Sequence, residues 1–199
     1  YLGELKAFTI GGGMAYEPNA VYRNVTAAGV VQDNATVNYT AYAADMLFEY
    51  PTKSGTVTAT AQYLKVDFDD AYKTNFNAGD RLVNIAGLNG QKNGYYAKAA
   101  YLFPGKIGAE GMMQPYVLYE DWKFAHLLGI NEQRITQAGV GLNYYIHKQN
   151  VRLTLEYLKT NFDKETGFVG ARVDPVTFAP LDKLTSYNTF RIMMQVGVF

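Results

Sequence analysis

Cysteine is absent from the 199-residue chain. That excludes a disulfide framework, a zinc site built on thiolates and a cysteine nucleophile, and it fits a protein exported from a bacterial cell. A surplus of charge is absent as well, the formal net charge being +0. Nucleic acid is therefore not the main partner, because phosphate binding requires a net basic face. No apolar run approaches the ~18 to 20 residues of a spanning helix, and a mean hydropathy of -0.16 is too polar for a helical membrane protein. Neither lack excludes a transmembrane barrel, whose lumen-facing residues stay polar. No signal peptide opens the chain at Tyr1-Leu2-Gly3-Glu4. Export removes such a segment, so the chain is either mature or N-terminally truncated. Its length makes residues 1–199 a single domain.

Aromatic residues are plentiful, 15% with 17 Tyr, and Gly reaches 19 against 6 Pro. The hydrophobic pattern has a period of two rather than 3.6. Val151, Leu153, Leu155 and Tyr157 fall on one face of an extended segment, and Arg152, Thr154 and Glu156 on the other. Just before it, Ala138, Val140, Leu142, Tyr144 and Ile146 alternate with Gln137, Gly139, Gly141, Asn143 and Tyr145. The short stretch 147–150 between them predicts a hairpin. The same test predicts strands over residues 5–17, 37–50, 55–69, 94–103, 112–124, 135–147, 151–162 and 187–199. Each is about the 9 to 11 residues, or slightly more, that a tilted strand needs to cross hydrocarbon. The third and fifth alternate least cleanly.

The connections sort by length. Residues 18–36, 70–93, 125–134 and 163–186 form long polar or Gly-rich loops, while 51–54, 104–111 and 148–150 are short turns, and the two kinds alternate along the chain. Barrels of the bacterial outer membrane have this asymmetry, with long loops outside and short turns on the periplasmic side. A soluble β-barrel has no reason to sort its loops this way. Tyr16, Tyr50, Phe103, Trp122, Phe162 and Phe199 fall near the predicted strand ends, where aromatic girdles sit at the two membrane interfaces. The chain therefore reads as all-β, an antiparallel transmembrane β-barrel in the outer membrane of a Gram-negative bacterium.

Lipid offers backbone N–H and C=O groups no partner, so a spanning sheet must close. Eight strands can close alone around a lumen filled by side chains, or form half of a wider, water-filled barrel. The predicted inward groups are Asp45, Glu49, Lys98, Glu120, Arg152, Glu156 and Arg191. In a narrow barrel they must pair across the lumen to offset desolvation, and in a wide one water solvates them. Their signs nearly balance, so charge leaves both architectures open.

Several segments carry a family likeness. Gly94-Tyr95-Tyr96-Ala97-Lys98-Ala99-Ala100-Tyr101, Gln114-Pro115-Tyr116-Val117-Leu118-Tyr119-Glu120 and the hairpin Gly139-Val140-Gly141-Leu142-Asn143-Tyr144-Tyr145 with Asn150-Val151-Arg152-Leu153 resemble successive strands of the phosphate-selective porin O and P family. The final stretch, Thr189-Phe190-Arg191-Ile192-Met193-Met194-Gln195-Val196-Gly197-Val198-Phe199, is similar to that family's C-terminus. The likeness covers residues 94–199 well and 1–93 poorly. It implies a sixteen-stranded, typically trimeric, water-filled channel of which this chain supplies the second half. The arginine ladder and lysine clusters credited with phosphate selectivity lie mainly in the family's first half and constriction loop. They are not matched in this sequence, and anion selectivity is not implied. The last strand departs from the usual assembly signal: Phe190, Ile192, Met194, Val196 and Val198 are out of phase with Phe199.

Other motifs carry less. Gly11-Gly12-Gly13 lacks the following helix of a phosphate-binding loop and reads as small, close-packed or lumen-facing residues within a strand. Three glycosylation sequons, at Asn24, Asn34 and Asn38, are coincidental in a bacterial outer-membrane protein. Asp67, Asp69 and Asp70 could hold calcium or bridge lipopolysaccharide through divalent ions, but their spacing is not that of a defined site, so they read as solvated rim charge. Lys73, Arg81 and Lys92 read as solvated loop residues. A Ser–His hydrolase embedded in the membrane is the enzymatic rival. The chain has only Ser54 and Ser186, with His126 and His147 at opposite rims, so no catalytic constellation forms and no enzyme is expected.

The sequence thus predicts a porin for passive diffusion of small hydrophilic solutes or ions, with Lys98, Glu120, Arg152, Glu156 and Arg191 lining the pore. No cofactor or metal is called for. The expected partners are outer-membrane lipid and lipopolysaccharide, the diffusing solutes, and two further copies in a homotrimer. The alternative is a self-contained eight-stranded anchor, adhesin or receptor working through loops 70–93 and 163–186. Closure discriminates the two, since the small barrel must pair its first strand with its last.

Overall fold

A computed structural model of the chain describes residues 6–26, 29–75, 78, 90–108, 111–127, 130–147, 150–167 and 182–197. It contains eight strands: β1 (Ala7–Tyr22), β2 (Thr36–Thr52), β3 (Gly55–Asp67), β4 (Lys92–Leu102), β5 (Met112–Leu127), β6 (Ile130–His147), β7 (Val151–Thr166) and β8 (Leu184–Val196). All lie in one sheet in chain order, and every neighbouring pair is antiparallel. Among the described residues β1 pairs with β2 alone and β8 with β7 alone, so the sheet has two open edges.

All eight strands stand where periodicity predicts them, but most run further at the end of the long connections. The largest departure is between β5 and β6. Residues 125–134 are expected as a long loop, yet β5 continues to Leu127, β6 begins at Ile130, and His126 still opposes Asn131. Polar and apolar side chains follow no alternation here, and the hairpin buries His126, Leu127 and Gln133 from both faces, while the backbone ladder continues whatever the side chains. The long–short alternation of connections therefore fails at this hairpin. At the other end the turns are tight. Thr52 opposes Gly55, with the Thr52 hydroxyl donating to the Gly55 carbonyl at 2.7 Å and the Tyr101 hydroxyl donating to the Ser54 carbonyl at 2.5 Å.

Residues opposed in register share a face of the sheet. Tracing the pairs from strand to strand gives one face bearing Phe8, Ile10, Met14 and Tyr16 on β1, Val117 and Tyr119 on β5, Val140 on β6, and Phe190, Ile192, Met194 and Val196 on β8. These large apolar side chains are exposed. In lipid such a face is satisfied, whereas in water it would be a liability.

The apolar face is bounded by a sloping aromatic line. One continuous row of opposed residues runs Gly12, Ala44, Tyr63, Tyr95, Asp121, Thr136, Asn161, Ser186. Relative to that row this face carries Tyr16 four residues higher on β1 (with Tyr22 further out beyond the register shift), Tyr42 two higher on β2, Tyr63 and Tyr95 level on β3 and β4, Tyr119 two lower on β5, Tyr144 eight lower on β6, and Tyr157 and Phe190 four lower on β7 and β8. The descent is about eight residues over seven strand steps. At ~3.3 Å per residue and ~4.8 Å per strand, this is a tilt of about 40°, the tilt at which strands cross a membrane in a closed barrel. Phe48, Tyr50, Tyr101 and Tyr144 follow the opposite edge of the belt.

Two predicted girdle residues belong elsewhere. Trp122 opposes Gly94 and Ile135, and Phe162 opposes Ile135, which puts both on the polar face. Each has the parity of the inward residues of its strand, and closeness to a strand end is blind to parity. Tyr16 and Tyr50 do lie on the apolar face, and Phe103 packs edge-on against Tyr101, centroids 5.3 Å apart. Phe199 lies outside the described residues.

At the outer end, the start of the 68–91 connection is packed rather than freely solvated. Phe68, Ala71 and Ala78 are buried with Val37, against Val21, Tyr39 and Val66. The Asn75 amide donates to the Tyr22 carbonyl at 2.5 Å, and Arg23 pairs with Asp70 at 3.2 Å. Asp67 pairs with Lys65 at 2.8 Å, so two of the three rim aspartates are engaged by cations. Lys92 belongs to β4 rather than to a loop, and Arg81 lies outside the described residues.

Candidate functional site

The face opposite the apolar belt is polar, and register assigns to it every one of the predicted inward groups. Asp45 opposes Gln62, Glu49 opposes Thr58, Lys98 opposes Thr60 and Leu118, Glu120 opposes Tyr96 and Gln137, Arg152 opposes Tyr145 and Gln195, and Glu156 opposes Gly141 and Arg191. Gly11 lies opposite Asp45 on the same face, with the Asp45 carboxylate over it.

Four of these strands meet at Glu156. The Arg191 guanidinium on β8 donates to Glu156 Oε1 at 3.3 Å, and the Tyr116 hydroxyl on β5 donates to Oε2 at 2.8 Å. Tyr116 is two strands away from Glu156, and its side chain crosses β6 at Gly141. A Cβ on Gly141 would fall 2.1 Å from the Tyr116 Cζ, so only glycine leaves the ring its path. Gly139 does the same for Leu158, whose Cδ2 would lie 2.3 Å from an added Cβ. The Lys98 ammonium on β4 sits 3.7 Å from the Tyr116 ring centroid, within cation–π range.

The sequence places Arg152 and Glu156 close enough on one strand to interact. In the structure Glu156 takes Arg191 instead, and Arg152 donates to Gln195 at 2.7 Å above the Tyr145 ring. Residues four apart on a strand are ~13 Å apart, whereas directly opposed ones are ~5 Å apart, so the cross-strand neighbour wins. The Arg152 Nε is buried with no hydrogen-bond partner. Glu120 accepts from the Trp122 indole at 3.0 Å.

Nearer the tight turns, the face carries a neutral network. Gln114 Oε1 accepts from Asn143 at 3.0 Å and from the Tyr145 hydroxyl at 2.8 Å, and Thr154 donates to Asn143 at 2.8 Å. These largely buried polar groups find partners within the sheet's polar face. Parity in the sequence points Gln114, Tyr116 and Asn143 inward. Their partners depend on strand register, which periodicity does not supply, and so Tyr116 is missing from the residues that sequence analysis singles out.

The remaining catalytic candidates stay apart. The His126 imidazole bonds Asn131 at 2.7 Å on the β5–β6 hairpin, Ser186 opposes Asn161 on β8, and Ser54 lies in the β2–β3 turn.

Comparison with curated proteins and with solved structures gives no match. Comparison with protein families does. The matched residues, 59–196, hold most of β3 and all of β4 to β8, well beyond the 94–199 over which the sequence likeness is clearest. With that match, an all-β antiparallel sheet and a tilted apolar belt, the chain belongs to the phosphate-selective porin O and P family of outer-membrane channel proteins.

Proposed function

We propose that the polar face is the wall of a water-filled channel through which small hydrophilic solutes or ions diffuse, and that Lys98, Glu120, Arg152, Glu156 and Arg191 line it. The observation that carries this reading is the shared face. Seven charged residues from β2, β4, β5, β7 and β8 lie on it, opposite a belt fit for lipid. Charge on that face lowers the cost of an ion leaving bulk water and tunes which ions enter.

The open edges support the wider of the two barrels. Lipid does not tolerate unpaired backbone groups, and among the described residues β1 and β8 do not pair with each other. Further strands must then continue the sheet, sixteen in all on the family's pattern. Residence in a Gram-negative outer membrane, contact with lipopolysaccharide, assembly as a homotrimer and passage of phosphate in particular all belong to this proposal.

Single-channel recording in a planar bilayer tests it, using protein extracted unheated from native membranes. Large, steady, long-lived openings are expected, and the reversal potential in a salt gradient gives the preferred ion. A silent bilayer containing folded, inserted protein would overturn the channel and turn attention to the external loops.

A further inference from the structure

We propose that Tyr116 is a positioning residue that withdraws Glu156 from the lumen, so that a permeating ion meets Arg191 and Lys98 and is largely spared the carboxylate. The inference rests on the polar face being the channel wall.

The two members of the Glu156–Arg191 pair are unequally exposed. The Arg191 side chain is 50% accessible and that of Glu156 only 8%. A pair equally open to water presents almost no net charge to a passing ion. Here Arg191, on the edge strand β8, is the more accessible member of the pair, and the anion lies beneath it. Fields in water are screened over ~10 Å, so the group nearer the solute dominates and the patch is locally positive.

Glu156 is held down from two sides, because its two oxygens have different partners: Arg191 on Oε1 and the Tyr116 hydroxyl on Oε2. An anion left buried without such donors would turn toward water to recover its solvation. The Tyr116 hydroxyl reaches it only because the intervening strand carries glycine at 141. The face of the same ring seats the Lys98 ammonium at 3.7 Å. One buried aromatic side chain therefore conceals an anion and fixes a cation, while being too buried itself to meet the solute.

The test is a double-mutant cycle on the whole protein, read as the anion-to-cation permeability ratio from the reversal potential in a potassium chloride gradient. Tyr116→Phe keeps the ring under Lys98 and removes only the hydroxyl. The ratio is expected to fall about two-fold, the scale of one screened charge in a water-like medium. In a Glu156→Gln background the same substitution is expected to leave the ratio where Glu156→Gln alone puts it. Gly141→Ala, which drives the ring from its path and removes the Lys98 seat with it, should lower the ratio in both backgrounds, and by more when Glu156 is present. A conducting channel whose ratio is unmoved by Tyr116→Phe overturns the proposal, and so does an equal shift in both backgrounds. A silent wild-type bilayer overturns the channel reading and this one with it.

Discussion

Arg134 on β6 grips Asp121 on β5 through two hydrogen bonds, Nε to Oδ1 at 2.8 Å and Nη2 to Oδ2 at 2.5 Å. Both residues lie on the apolar face. The Asp121 side chain is only 10% accessible, against 40% for Arg134. Asp121 stands one position beyond Tyr119 on that face of β5. The pair thus marks the upper limit of the apolar belt on β5 and β6, where a lone carboxylate would face the edge of the hydrocarbon.

Removing the two partners should have unequal consequences. Arg134→Met leaves the Asp121 carboxylate without its bidentate donor and is expected to cost roughly 2 kcal/mol. Asp121→Asn leaves an exposed cation free to reach water and should cost less than half of that. Urea unfolding of the protein reconstituted in lipid, followed by loss of the compact electrophoretic form, measures both. Equal losses would show that the pair does not hold a carboxylate at the lipid boundary.

Trp122 is the chain's only tryptophan, which makes its facing directly readable. On the polar face, bonded to Glu120, it should be quenched by acrylamide in the water phase and spared by lipids brominated on their acyl chains. A girdle tryptophan would show the reverse. Gly94→Ala should disturb it further, because a Cβ there would meet the Trp122 ring at 2.5 Å. A red shift of its emission is the expected sign.

The lack of native cysteine allows the two faces to be mapped one residue at a time. Arg191→Cys and Gln195→Cys should react quickly with a charged, water-soluble thiol reagent, and Ile192→Cys and Met194→Cys slowly. Glu156→Cys should also be slow despite its polar facing, since the position is buried. Rapid labelling of the Ile192 and Met194 positions would reverse the assignment of lumen and lipid.

The open edges predict a negative crosslinking result. Cysteine at Thr9, Gly11 or Gly13 on β1, combined in turn with cysteine at Thr189 on β8, should form no disulfide within the chain under mild oxidation. Formation of one in the folded protein would bring β1 beside β8 and establish the narrow, self-closed barrel.

The seat of the outer connection is testable by proteolysis. Phe68 packs against Tyr39, centroids 5.2 Å apart, in a small cluster at the mouth of the polar face. Phe68→Ala is expected to destabilise that cluster by about 3 kcal/mol and to open the 68–91 segment to protease while the strands stay resistant. Cleavage no faster than in the wild type would mean the cluster does not anchor the connection.

The alternation of Val151, Leu153, Leu155 and Tyr157 with Arg152, Thr154 and Glu156 is enough by itself to define a strand and its two faces, because side chains on an extended backbone point to opposite sides by geometry alone. The same logic, repeated along the chain, determined the eight strands, the meander and the facing of all seven predicted inward charges. It had no purchase where the alternation lapses, and so the β5–β6 hairpin reads as a loop in the sequence and is a ladder in the structure. Proximity to a strand end misassigned Trp122 and Phe162, whose parity already pointed inward. What only the tertiary structure decided is who meets whom across strands. The Tyr116–Glu156 bond joins residues 40 positions apart through a gap left by Gly141, and the slope of the aromatic line emerges only when seven registers are laid side by side. A strand's period of two is a local property of its backbone. Register is set by how neighbouring strands hydrogen-bond and pack, and no single strand contains it.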